Sequence, residues 1–70
     1  MSDKLNIQLR RARLSRYWMI AIAAEKVGVS LQTFSRWERG LQHPHPTTLQ
    51  MLCTTFNMEP KELGFGNLIP

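Results

Sequence analysis

The sequence predicts a small all-α domain, and three observations favour this fold class. Apolar residues such as Leu5, Leu9 and Ala12 recur at three- and four-residue spacing, which is the period of an amphipathic helix. No stretch of five or more residues alternates apolar and polar side chains, so strand signals are missing. Gly28 and Gly40 stand where short helical segments should end. We therefore expect a compact bundle of helices.

The first helix is expected from about Lys4 to Leu14, because its apolar residues share one face. Arg10 and Arg11 then point outward. A short break follows near Arg16, before the next helical segment.

A tight pair of helices is expected next. The second helix covers about Ile20 to Val27, and Gly28 supplies the left-handed residue that ends it. Ser30 can accept a hydrogen bond from a backbone N–H of the following turn, so a third helix is expected from Leu31 to Arg39, ended by Gly40. Two short helices joined by Gly-Val-Ser form a helix-turn-helix unit, which can place one helix in the DNA major groove.

Prolines delimit the rest of the chain. Pro44 and Pro46 exclude a helix over residues 41–46, because proline removes a backbone donor and disfavours the helical conformation of the preceding residue. A fourth helix is expected from about Pro46 to Phe56. Pro60 indicates a short fifth helix that ends near Gly64. We assign residues 1–64 to one domain and residues 65–70 to a C-terminal tail.

Charge is unevenly distributed along the chain. Residues 1–40 carry eight Lys and Arg against three Asp and Glu, a net charge of +5, whereas residues 41–70 carry one against two, a net charge of −1. Such polarity is expected of a domain that presents one face to a polyanion, although solvated surface charge gives the same count. The longest apolar run, residues 17–24, is far shorter than the roughly 20 residues of a membrane span.

Candidate catalytic and metal-binding patterns are missing from the sequence. His43, His45 and the single cysteine, Cys53, do not have a recognisable metal-ligand spacing, so no metal or other cofactor is predicted. No nucleophile with its base and no glycine-rich phosphate loop is found, so we do not expect an enzyme or a small-molecule substrate. Cys53 cannot form an intramolecular disulfide and is expected as a small buried residue in a reducing cytoplasm.

The run from Ala24 to Gly40, followed by Pro44, is the most specific pattern in the chain. Together with Leu9-Arg10-Arg11-Ala12-Arg13 before it and Leu49 after it, this run resembles the phage-repressor-like helix-turn-helix domains of the Cro and xenobiotic-response-element type. The resemblance covers roughly residues 5–64. It implies a five-helix, lambda-repressor-like domain that binds double-stranded DNA, as a transcriptional regulator or as an engineered module on that scaffold.

The resemblance also implies a role for each residue of the third helix. Leu31 to Trp37 would be the recognition helix, with Phe34 and Trp37 in the core. Gln32 would pair with adenine, Leu31 would touch a thymine methyl group and Arg36 would pair with guanine. Further polar and basic residues would contact the DNA backbone without reading sequence, namely Ser30, Thr33, Ser35, Arg39, Gln42, His43, Arg10 and Arg16.

Two further expectations follow from the resemblance. Arg13 and Glu38 occupy positions that form an ion pair between the first and third helices of similar domains. Many similar domains bind two half-sites as homodimers, which leaves the oligomeric state open here.

The second helix departs from the family pattern. Similar domains begin it with Ser or Thr and then Gln, and place Leu at a later core position; here Met19, Ile20 and Ala23 stand at these positions. Three explanations are open: Met19, Ile20 or Ile22 repacks into the space beside Ala23, these residues form an exposed apolar patch, or the chain was engineered or selected for a changed DNA contact. The second explanation keeps a rival function open, a protein-interaction module with the same fold.

Overall fold

The computed structural model describes residues 5–66, which form an all-α domain. Its elements in chain order are α1 (Ile7–Ser15), α2 (Ile20–Val27), α3 (Leu31–Glu38) and α4 (Pro46–Phe56). No strand is present within residues 5–66, which confirms the predicted all-α class. No helix in this part of the chain is long and apolar enough to cross a membrane.

The prediction of a fifth helix is wrong, because the segment after Pro60 forms turns rather than an α-helix. The backbone N–H of Leu63 donates to the carbonyl of Pro60 at 3.1 Å, and Gly64, with φ of 83°, ends the turn at once. One turn gives too few hydrogen bonds to offset the cost of helix nucleation. Residues 5–66 therefore form four α-helices, not five.

Asn6 determines where α1 begins. Its side-chain oxygen accepts a hydrogen bond from the backbone N–H of Leu9 at 3.0 Å, so the helix starts at Ile7. The sequence prediction placed this start at Lys4, which lies outside the described residues. The Asn6 amide also donates to the carbonyl of Leu63 at 2.9 Å, and its backbone N–H donates to Glu38 at 2.8 Å. Through these hydrogen bonds, Asn6 links the start of α1 to both α3 and the turn after Pro60.

Aromatic rings fill the centre of the core. Phe34 of α3 lies 5.7 Å from Trp37 and 6.3 Å from Phe56 of α4, measured between ring centroids, and all three side chains are buried. Phe34 and Trp37 therefore lie in the core, as predicted. Phe65, which was expected in a C-terminal tail, is also buried, whereas residues 67–70 lie outside the described residues.

The turn between α2 and α3 forms where the sequence predicts it. Gly28 has φ of 97° and its N–H donates to the carbonyl of Ala24 at 2.8 Å, which ends α2. Ser30 caps α3 by accepting from the N–H of Thr33 at 3.1 Å. Val29, between the two, packs against the core. These caps determine how α3 leaves α2 and which of its faces remains exposed.

Candidate nucleic-acid interface

α3 is amphipathic, and its outer face carries the residues expected to read bases. Phe34 and Trp37 are buried on one side, whereas Gln32 and Arg36 are exposed and lie four residues apart, which places them on the same face of the helix. Leu31 at the start of the helix is 48% exposed. The three side chains are thus available together at the surface.

The hydroxyl groups at the start of α3 hydrogen-bond to each other. Ser30 Oγ accepts from the Thr33 N–H and lies 2.9 Å from Thr33 Oγ1, to which its hydroxyl can donate. This arrangement leaves the Thr33 hydroxyl hydrogen free to donate outward. Ser30 therefore acts first as a helix cap, and Thr33 is the better placed of the two to donate to a phosphate.

A groove of about 180 Å³ brings together residues from three helices. Arg10 of α1, Ile20 of α2, and Ser35 and Arg39 at the end of α3 all line it. Arg10 and Arg39 are exposed, and neither forms an ion pair or a side-chain hydrogen bond within residues 5–66. Two guanidinium groups are therefore available beside the outer face of α3.

The loop after α3 carries two more of the residues that were expected to contact DNA. Gln42 and His43 are exposed and line a larger groove of about 550 Å³, together with Trp37 and the first residues of α1. The loop thus extends the polar surface beyond the end of α3.

Arg16 is not one of the exposed residues of this surface. Its guanidinium donates to the carbonyls of Ala12 and Phe56 and lies over the Phe56 ring at 5.0 Å from the centroid. These contacts fasten the end of α1 to α4. The expected phosphate contact of Arg16 is therefore corrected, because its guanidinium is bonded to two backbone carbonyls. A basic residue next to a basic stretch gave no sequence signal of this internal role.

Arg13 and Glu38 form a buried, two-point ion pair beneath the groove. Arg13 Nε lies 2.5 Å from Glu38 Oε2, and Nη2 lies 3.2 Å from Oε1. Nη1 donates to the carbonyl of Trp18 at 2.9 Å. The pair links α1 to α3 at the positions that the resemblance indicated.

The apolar start of α2 divides between core and surface. Ile20 packs against the core, whereas Met19 is 73% exposed and Ile22 is 39% exposed. Of these three apolar residues, only Ile20 therefore fits the explanation that they repack into the core. Met19 also provides no side-chain cap for α2.

The described residues hold no group of three or more His, Cys, Asp or Glu side chains that could bind a metal ion. Cys53 is half-buried, and desolvation together with the nearby charge of Glu59 raises the pKa of its thiol. The thiol is therefore protonated near neutral pH.

The fold defines a helix-turn-helix domain. Its helices are short, α2 ends at a glycine, α3 is capped by a serine, and one face of α3 is polar and exposed. A family model described as a helix-turn-helix domain matches residues 5–64, so the chain belongs to the helix-turn-helix domain family. The match confirms the resemblance and supports DNA binding as the general activity. Searches of curated proteins and of solved structures gave no match.

Proposed function

We propose that this protein binds double-stranded DNA in a sequence-specific manner, with α3 in the major groove, and that it acts as a transcriptional regulator. The observation that carries the proposal is the division of α3 into two faces. Phe34 and Trp37 anchor the helix in the core, and this fixes Gln32 and Arg36 in an outward direction. An anchored helix can present these side chains to base edges with little loss of backbone conformational entropy on binding.

Base readout is assigned to the exposed face of α3. Gln32 can form two hydrogen bonds with adenine, and Arg36 can form two with guanine N7 and O6. Leu31, half-exposed at the start of the helix, can contact a thymine methyl group. Each good two-point contact discriminates against the wrong base by about 1–3 kcal/mol.

Backbone contacts are assigned to the rim of the same surface. Arg10 and Arg39, which line the small groove together with Ser35, supply positive charge without an internal partner in the described chain. Such contacts release counterions from DNA, so affinity should fall steeply with salt concentration. The remaining assigned contacts are polar groups at the start of α3 and in the following loop, Thr33, Gln42 and His43.

The experiment is a selection from a randomised duplex library, followed by affinity measurements on the enriched site and on a scrambled duplex at two salt concentrations. We expect an enriched short motif whose affinity falls with salt. Arg36→Ala should relax selection at one position, whereas Lys61→Ala removes the same charge from the turn after α4 and should leave selection unchanged. Equal, weak binding of all duplexes would contradict the proposal.

A second candidate function is a protein-interaction module, and the exposure of Met19 and Ile22 favours it. An apolar interface is little affected by salt, whereas DNA binding is weakened by it. A partner captured with salt-independent affinity, together with no duplex selection, would assign the protein to this second function.

The DNA-binding proposal extends to location and assembly. We propose that the protein acts in the reducing cytoplasm, as expected from its single cysteine, and that two copies bind paired half-sites about one DNA turn apart. Enrichment of an inverted repeat, with a 2:1 molar ratio of protein to duplex in analytical ultracentrifugation, is the expected result. A single half-site with a 1:1 ratio would reject the homodimer.

A further inference from the structure

The side of α1 that points away from the core combines apolar and basic side chains. The buried side of the helix includes Leu9 and Ala12. On the opposite side Ile7, Arg11 and Leu14 follow one another at spacings of four and three residues, which places them on one face of the helix. We call these three residues the α1 outer face.

The packing of the domain leaves the α1 outer face open. Ile7 is 43% exposed, Leu14 is 51% exposed, and Arg11 is also exposed. The polar residues on either side are used internally, since the Gln8 side chain donates to the carbonyl of Lys61 at 3.1 Å and the Ser15 hydroxyl to that of Ala12 at 2.8 Å. The α1 outer face can therefore be covered by a partner without breaking a contact of the fold.

The positive charge of this face is not neutralised by the domain itself. α1 contains three arginines and no acidic residue. Of the three, only Arg13 has a carboxylate partner within residues 5–66, namely Glu38. The carboxylate of Glu62, on the turn that Gln8 contacts, accepts from the backbone N–H of Glu59 instead. A partner at this face therefore needs negative charge as well as apolar side chains.

The spacing of the three residues indicates that the partner segment is helical. Spacings of four and then three residues are those of successive d, a and d positions in a heptad, which form the seam between two packed helices. Ile7 and Leu14 are the apolar members of such a seam, and Arg11 is the charged member between them. A helix with apolar residues along its own seam covers the first two, and an acidic residue beside that seam pairs with the third.

A second copy of the chain and DNA both fit this face less well. If two α1 helices paired through it, their Arg11 side chains would meet near the middle of the seam, and like charges there oppose pairing. A DNA strand pairs with arginine, but its closely spaced phosphates do not provide a cover for Ile7 and Leu14. Arg10, which points about 100° away from Arg11 around the helix, is the arginine that lines the groove beside α3.

From these observations we infer that the α1 outer face is a docking surface for an acidic amphipathic helix of a partner protein. A carboxylate of the partner binds the Arg11 guanidinium, and apolar side chains of the partner pack on Ile7 and Leu14. The face spans only two helical turns, so the interface is small and the complex is weak and reversible. Docking here leaves the outer face of α3 uncovered, so the inference does not rest on the proposed function.

The experiment titrates the full chain with a synthetic peptide of three heptads, about 21 residues, followed by the amide signals in NMR. The peptide has leucine at positions a and d and glutamate at positions e and g, which also keeps it from pairing with itself. We expect the amide signals of residues 7–14 to shift and those of α3 to stay in place. Two matched peptides, with lysine in place of glutamate or alanine in place of leucine, should bind much more weakly.

Variants of the α1 outer face test each contact. Arg11→Glu should weaken binding of the glutamate peptide about tenfold and strengthen binding of the lysine peptide. Ile7→Ala and Leu14→Ala should each weaken binding of the glutamate peptide about fivefold, because less apolar surface is buried. Arg36→Glu and Leu41→Ala make the same changes at exposed positions outside α1 and should leave the affinity for the peptide unchanged.

Three results would overturn the inference. The first is equal binding of the glutamate and lysine peptides, or unchanged binding in Arg11→Glu. The second is self-association that Leu14→Ala abolishes, which would assign the face to a second copy of the chain. The third is a shift of the α1 amide signals with the selected duplex and a loss of DNA affinity in Leu14→Ala, which would assign the face to DNA.

The same variants keep this inference separate from the proposed function. Base selection from the duplex library should be retained in Arg11→Glu and changed in Arg36→Glu. That result supports base reading by α3 whatever the peptide titration shows. Loss of peptide binding in Arg11→Glu, with no duplex selection by the wild-type chain, would support the docking surface and contradict DNA binding.

Discussion

Arg13 and Glu38 join α1 to α3 directly beneath the groove that Arg10 and Arg39 line. Both side chains of the pair are buried, at 8% and 7% exposure, and the guanidinium also donates a hydrogen bond to the carbonyl of Trp18. The pair therefore fixes the position of α3 relative to α1. It also fixes the turn between α1 and α2.

Arg13→Ala should destabilise the domain by about 3–5 kcal/mol, because the carboxylate of Glu38 is left buried without a partner. In a chain of 70 residues this is a large part of the total stability, so the variant should be partly unfolded at room temperature. Thermal or urea unfolding followed by circular dichroism measures the effect. The exposed neighbour Arg11 provides the control, since Arg11→Ala should change stability by less than about 0.5 kcal/mol. An unchanged midpoint for Arg13→Ala would show that the pair does not stabilise the fold.

Gly64→Ala should be more destabilising than Gly28→Ala. Both glycines have positive φ, so each substitution carries a similar backbone strain of about 1–2 kcal/mol. A Cβ at Gly64 would also overlap Asn6 Oδ1 and lie 2.8 Å from Asn6 Cγ. Asn6 cannot move away without losing its hydrogen bonds to Leu9 and Leu63.

At Gly28, by contrast, the nearest atom is the end of the Met51 side chain at 3.3 Å, which can rotate. We therefore expect Gly64→Ala to cost about 1–2 kcal/mol more than Gly28→Ala in urea unfolding, from the lost cap and hydrogen bond. Equal losses for the two variants would contradict the role given to Asn6.

Gln32→Ala and Arg36→Ala should each weaken binding to the selected duplex by about 1–3 kcal/mol and relax selection at different base pairs. Neither side chain is buried, so the unfolding midpoints should stay close to the wild-type value. Competition assays with single-base variants of the site identify the relaxed position. An equal loss on all duplexes would instead indicate that these residues contact phosphate.

Alkylation of Cys53 should require higher pH than alkylation of a free thiol. Burial and the charge of Glu59 both raise the pKa of Cys53, so less of the reactive thiolate is present at any given pH. The rate of reaction with iodoacetamide, measured against pH in the folded protein and in a short peptide, tests this. Glu59→Gln should shift the folded profile toward lower pH, and Glu25→Gln in α2 should not. Coincident profiles for folded protein and peptide would show that the environment does not raise the pKa.

The core helices could be predicted from the sequence because their signals are local. α2 and α3 begin and end at the predicted residues or within one residue of them, since Gly28, Ser30 and Gly40 act on the chain directly beside them. The prediction of a helix over residues 60–64 is wrong for a different reason. Pro60 is a helix start signal, but Gly64 follows too soon for a helix to propagate. Likewise, the start of α1 depends on Asn6, whose cap is reinforced by Leu63, 57 residues away in sequence.

The sequence by itself determined the all-α class, the helix-turn-helix pair and the outward residues of α3, because spacing and capping are properties of neighbouring residues. Only the tertiary structure decided the role of Arg16, whose guanidinium can donate hydrogen bonds either to a phosphate or to a backbone carbonyl. The carbonyl of Phe56 lies 40 residues away, and only packing of α4 against the end of α1 brings it within reach. The same packing turns Tyr17 outward, because the residues on both sides of it are held in the core.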